Sequence, residues 1–258
     1  MASLRDLEIM GPGQQSAPPE AANPPFPLLS NYDFSCYMIV MPTKLPFVFS
    51  PRGYVYQSGL DCIRLAAKSG QNSLQEAISC KQEQLKQYEA DSVFVGERDE
   101  DGYVLWEQND ILNLDIERLQ EALLELRRAF ALTAYHYWET SVYQWFHQEN
   151  PETQSINLGN YRNLAKTLKD LGNKDPSLQN IPDKNLFIVS HISNVIKHTS
   201  DNSREYLSKN MPIELVGIIK NTPKIYGNRP QVYLEEHHLN WIFDVIAHSG
   251  PIANSNRV

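Results

Sequence analysis

The sequence predicts a mainly α-helical protein built on one long helix, with a small mixed α/β module ahead of it. Three observations lead there. Residues 114–148 contain neither Gly nor Pro, so nothing in them stops a helix. Apolar side chains recur along that stretch at helical spacing: Ile116, Leu119, Leu123, Leu126, Phe130, Tyr137, Val142, Trp145 and Phe146. Aromatic and β-branched runs, by contrast, gather mainly before residue 110. The first half of the long helix carries Glu117, Arg118, Glu121, Glu125 and Arg128, whereas Ala129 to Phe146 is apolar or aromatic nearly all round. Such a helix is exposed at one end and enclosed at the other, and at ~1.5 Å per residue it spans about 50 Å.

Residues 1–30 are rich in Pro, Ala and Gln without apolar periodicity, which predicts a disordered tail. From Tyr32 to Gln57, aromatic and β-branched runs are split by Pro-Thr-Lys and Pro-Arg-Gly, so short extended segments are expected. A polar helix then runs from Leu74 to Tyr88, with Ser73 and Glu76 at capping-box spacing. Two apolar runs around Asp101-Gly102 predict a β-hairpin. Residues 31–110 thus form the small mixed module, and residues 111–258 the helical bundle.

After the long helix, Pro151 is a stop. Residues 157–171 form a short amphipathic helix closed by Gly172, and Leu186 to His198 a buried one. Arg204 to Lys209 is a further short helical stretch before Pro212. Residues 213–219 and 231–234 are candidate strands, and Glu235 to Ala247 is a closing helix ended by Gly250-Pro251.

Composition excludes some classes of function. The chain has 258 residues, 41% hydrophobic and 21% charged, as in soluble globular proteins. There is no run of apolar residues long enough for a membrane span and no basic-then-apolar leader. Cys36, Cys62 and Cys80 are widely spaced and odd in number, which fits free thiols in a reducing cytoplasm. Net charge is −8 overall, yet residues 161–230 hold 11 Lys and Arg against 6 Asp and Glu, a net +5. The overall sign opposes bulk nucleic-acid binding while leaving room for a local basic face; an ordinary solvated surface accounts for the same charges. No phosphate loop, GxSxG, HExxH or EF-hand pattern occurs. His237 and His238 are helical neighbours that point to different sides, which suits a helical surface pair rather than joint metal ligation; no cofactor is expected.

The residues with most chemical potential run from His191 to Arg204. Asn194, Lys197, His198 and Asp201 are three or four positions apart and share one face if the helix continues. His198 then sits where a helix C-terminus favours its protonated form, and histidine suits proton transfer near neutral pH. Lys197 and Arg204 are cations able to neutralise a phosphate. The same residues also suit a polar cap on a helix that ends at Thr199. His136 and Glu139, one turn apart on the long helix, would complete a polar pocket with His198 where the two helices cross. His191, two turns from His198, and Asp201 line the approach to it.

The segment from Ser190 to Pro212 resembles an element of HEPN-like helical domains, in which an Asn-x-Ile-Lys-His run is followed by Ser, a short helix and a proline. Residues 134–139, Ala-Tyr-His-Tyr-Trp-Glu, resemble part of the first long helix of those domains. The resemblance covers roughly residues 114–248 and implies an up-down helical bundle acting as a homodimer. Many such proteins are metal-independent ribonucleases that use an arginine followed a few residues later by a histidine, and some act in stress or phage defence, including toxin–antitoxin systems. The resemblance assigns His198 as general acid/base, Lys197 or Arg204 as charge stabiliser, and Asn194 as positioner. The chain departs from the pattern, because residues 191–193 read His-Ile-Ser where the arginine belongs. The alternative is a non-catalytic module for dimerisation or for binding RNA or a partner protein.

Overall fold

The structure, a computed structural model, describes residues 47–91, 93–152, 160–174, 178, 182–198, 200–220 and 231–256. A strand, β1 (Phe47–Phe49), leads into helix α1 (Pro51–Asp91). The helix starts there because Ser50 Oγ accepts the Gly53 N–H at 3.1 Å and Pro51 occupies the first turn, where its missing N–H removes no bond. A two-stranded hairpin follows, β2 (Gly96–Arg98) and β3 (Val104–Glu107). Its turn is held by Asp99 Oδ1, which accepts from the N–H groups of Asp101 and Tyr103. Gly102 takes a φ of 84° there, a region that glycine enters without steric cost. Helix α2 (Gln108–Glu149) then runs back along α1.

The later elements are α3 (Tyr161–Gly172), α4 (Leu186–His198), α5 (Asp201–Asn210), a 3-10 turn (Ile213–Leu215), β4 (Ile219–Lys220), β5 (Gln231–Val232), α6 (Glu236–His248) and β6 (Asn254–Asn256). Among the described residues three antiparallel ribbons pair β1 with β6, β2 with β3, and β4 with β5. The protein is therefore mainly helical, as expected. Among the described residues no helix is long and apolar enough to cross a membrane.

The core lies around the C-terminal half of α2, where Ala134, Tyr135, Trp138, Val142, Trp145 and Phe146 are buried. Tyr56 and Leu60 of α1, Leu164 and Leu168 of α3, Ile192 of α4, Leu207 of α5 and Ile242 and Phe243 of α6 close around them. The end of α6 is tied down by distant side chains. Tyr56 donates its hydroxyl to the Ile246 carbonyl at 2.7 Å, Gln57 donates to the Ala247 carbonyl at 3.1 Å, and Trp138 Nε1 donates to the Ser249 carbonyl at 3.0 Å. Carbonyls at and just past the helix end, where the regular helical bonds stop, thus gain side-chain donors from α1 and α2.

Beyond this core α1 and α2 continue as a two-helix arm. Lys81 pairs with Asp115 at 2.8 Å, and the Tyr88 hydroxyl donates to Glu107 at 3.0 Å. From Gln71, the last buried residue of α1, to Asp91 the arm extends about 30 Å.

Several expectations need correction. Residues 51–57 are helical rather than extended, and no helix starts at Ser73, because one continuous helix covers the region. Three glycines within that helix each lie against a neighbour: Gly53 against Ile252, Gly59 against Tyr137 and Gly70 against Leu126. The boundary expected at residue 110 is crossed by the α1–α2 pairing, and Tyr56, Leu60 and Ala67 belong to the same core as α2. In residues 213–219 only the last residue is in a strand; the segment opens with the 3-10 turn. The tail at 1–30, the extended segments at 32–46, Cys36 and the start of the helix expected from 157 lie outside the described residues.

Candidate functional site

Helix α4 presents Phe187, Ser190, His191 and Asn194 on one face, at the i, i+3, i+4, i+7 spacing of a helical stripe. Across from them α2 supplies Tyr135 and Glu139, and the start of α3 supplies Asn160, Tyr161 and Arg162. Together they line an open groove of about 430 Å³. Asn160 fixes that start, because its side chain accepts the Asn163 N–H at 3.0 Å.

The groove wall is aromatic. The rings of Tyr161 and Phe187 lie 4.8 Å apart, and Phe187 meets His191 edge-on at 4.5 Å. His191 in turn stacks on Tyr206 of α5 at 4.1 Å. His191 Nδ1 and Ser203 Oγ are hydrogen-bonded at 3.0 Å, while Nε2 is buried without a protein partner. Burial lowers the pKa of His191 below the ordinary histidine value, so the neutral ring prevails at pH 7. Burial raises Tyr135; the Ser190 hydroxyl opposes that rise and the Glu139 carboxylate adds to it. The Tyr135 phenol therefore stays protonated and can donate.

The residues singled out from the sequence take different places. Glu139, His191 and Asn194 come together in the groove. His136 lies outside it with a half-exposed ring, and its Nδ1 is 2.8 Å from Glu139 Oε2. Lys197 is exposed, with Nζ 5.9 Å from the Tyr135 ring. His198 is exposed on the last turn of α4, one turn beyond Asn194, and does not line the groove. The polar pocket expected from His136, Glu139 and His198 is thus built with His191 instead. The shared face expected to run through Asp201 stops at His198, because Ser200 caps a separate helix and Asp201 is its first residue. Asp201 forms an ion pair with Arg204 one turn later. Reading residues 187–194 as a stripe would have found the groove face; the contributions of Tyr161 and Arg162 come from another helix and leave no local signal.

Outside the groove, His238 is buried and Nδ1 of its ring accepts the Glu235 N–H at 3.0 Å; the expected surface pair is therefore half buried. Its pKa is lowered by burial first and by His237 next; Glu235 opposes the fall, and Arg127 adds a still smaller lowering. A histidine with a lowered folded pKa stabilises fully above its unfolded value of about 6.5, and the contribution is lost as pH falls through the folded value. The melting temperature is therefore expected to hold from pH 8 to 7 and to fall progressively below pH 6.5. A protein with Gln at both 191 and 238 should show a flatter profile over the same range; an unchanged slope would remove these two rings as its cause.

Comparison with protein-family models, with curated proteins and with solved structures gives no match for this chain.

Proposed function

We propose that this chain is a HEPN-like helical module whose groove between α2, α3 and α4 binds single-stranded RNA. One observation carries the reading: a partly open row of aromatic rings, Tyr161, Phe187 and His191, stands beside the guanidinium of Arg162 and the carboxamides of Asn160 and Asn194. Unpaired bases stack on such rings, at ~1–3 kcal/mol per base. Amide side chains read base edges, and arginine meets phosphate. The net charge of +5 over residues 161–230 favours the same ligand locally.

Binding is favoured over cleavage because neither cation assigned to charge stabilisation lines the groove. Lys197 lies over Tyr135, and Arg204 pairs with Asp201. The test is fluorescence anisotropy of a labelled single-stranded RNA and of its duplex, with EDTA present, followed by a denaturing gel of the same mixtures. The single strand should bind more tightly than the duplex and remain intact. Arg162→Ala and Tyr161→Ala should each weaken binding by roughly five- to tenfold. Equal binding by both variants would dismiss the groove. Cleavage lost in His198→Ala would replace the binding reading with the ribonuclease one.

A further inference from the structure

The far end of the two-helix arm exposes a cluster of large apolar side chains. Tyr103 is 72% exposed and Leu105 60%, and Val93, Phe94, Val95 and Trp106 are exposed beside them. Clusters of this kind mark interaction sites more often than free surface. Trp106 is ready for burial, because its indole N–H already donates to Glu97 at 3.1 Å. Carboxylates are frequent in the same stretch of chain: residues 89–117 hold 10 Asp and Glu against Arg98 alone, a net −9.

The complementary surface lies at the opposite end of α2. Phe146 and Leu171 form the floor of a groove of about 400 Å³, with Asn150, Lys166, Asp170 and Lys174 at its rim. The charged residues of that rim are Lys166 and Lys174 against Asp170, a net +1. An apolar floor with a basic edge matches an apolar tip with an acidic edge. The tip cannot reach the groove of its own chain, because about 60 Å of helix separates Trp106 from Phe146. Two chains laid antiparallel along their arms bring each tip to the other's groove, and the two equal contacts close a two-fold dimer.

We propose that the hairpin tip around Leu105 and Trp106 docks into the Phe146–Leu171 groove of a second copy, and reciprocally. Sedimentation velocity of the full chain over a hundredfold range of concentration tests this. A dimer is expected at low salt, weakened at high salt as exposed charges are screened. Leu105→Asp should weaken it roughly tenfold or more, and so should the pair Lys166→Glu with Lys174→Glu. All the substituted residues are exposed, and circular dichroism checks that each variant stays folded. Adding Glu100→Lys and Asp101→Lys to the groove pair should restore the dimer. Zero-length carbodiimide cross-links between isotopically mixed chains should join tip carboxylates to Lys166 or Lys174. A wild type that stays monomeric, or a dimer indifferent to both sets of changes, overturns the proposal. So does a monomer whose tip binds a Lys–Leu amphipathic peptide, which would assign the tip to a foreign basic partner.

Discussion

Replacing Trp138 with alanine is expected to lower the unfolding free energy by about 3–5 kcal/mol. The ring is wholly buried at the centre of the core, packed on Tyr135 at 5.7 Å and Tyr161 at 6.3 Å. Its removal leaves a cavity between α2 and α3 that rigid helices cannot close. It also leaves the buried Ser249 carbonyl without the indole donor. Trp138→Phe separates the two effects: most of the ring survives and the donor is lost, so a smaller deficit of about 1–3 kcal/mol is expected. Urea unfolding followed by circular dichroism measures both. A deficit below about 1 kcal/mol for the alanine variant would mean that the core does not depend on this ring.

Gly53→Ala is expected to destabilise by about 1–3 kcal/mol, the reverse of its usual effect within a helix. On an exposed helix the change gains about 1 kcal/mol, because alanine is the better helix former. At position 53 an added Cβ would lie 2.1 Å from the Ile252 carbonyl oxygen and 2.7 Å from the Ala253 nitrogen. Both are backbone atoms beside the β1–β6 ribbon, so neither can swing away as a side chain could. Gly70→Ala is the control in the same helix. Its Cβ would meet only the flexible end of Leu126 at 3.0 Å, and a neutral or slightly stabilising result is expected. Thermal melts of the two variants should therefore move in opposite directions or differ clearly in size.

How much of this fold can be read from the chain depends on how local the deciding physics is. Helix α2 is legible because its apolar spacing and its lack of Gly and Pro act within a few residues of each other. The α4 boundaries and the hairpin at Asp101-Gly102 are legible for the same reason. Helix α1 is not. Tyr54, Val55 and Tyr56 have strand-like chemistry, and Gly53, Gly59 and Gly70 weaken a helix when taken alone. What makes the region helical is the cap from Ser50, with Pro51 in the first turn, and the long side of α2 against which it packs. The first signal is present in the sequence and is outweighed by the aromatic run; the second is tertiary. The candidate site divides in the same way. Glu139, His191 and Asn194 follow from polar residues on helical faces, whereas the role of His198 depends on where α4 stops. Ser200 decides that, by starting a new helix before the face can continue.

The contacts that hold the end of α6 also set an order of events during synthesis. The α1–α2 hairpin joins neighbouring segments and can form as soon as residue 149 has left the ribosome. The Tyr56 hydroxyl, however, must wait for a carbonyl 190 positions further on. Until then the aromatic half of α2 has no cover from the last helix and presents its greasy face to chaperones. Long-range closure of this kind slows folding and leaves sticky intermediates. A nascent chain stalled before residue 236 should therefore be captured by holdases far more readily than one that has been released.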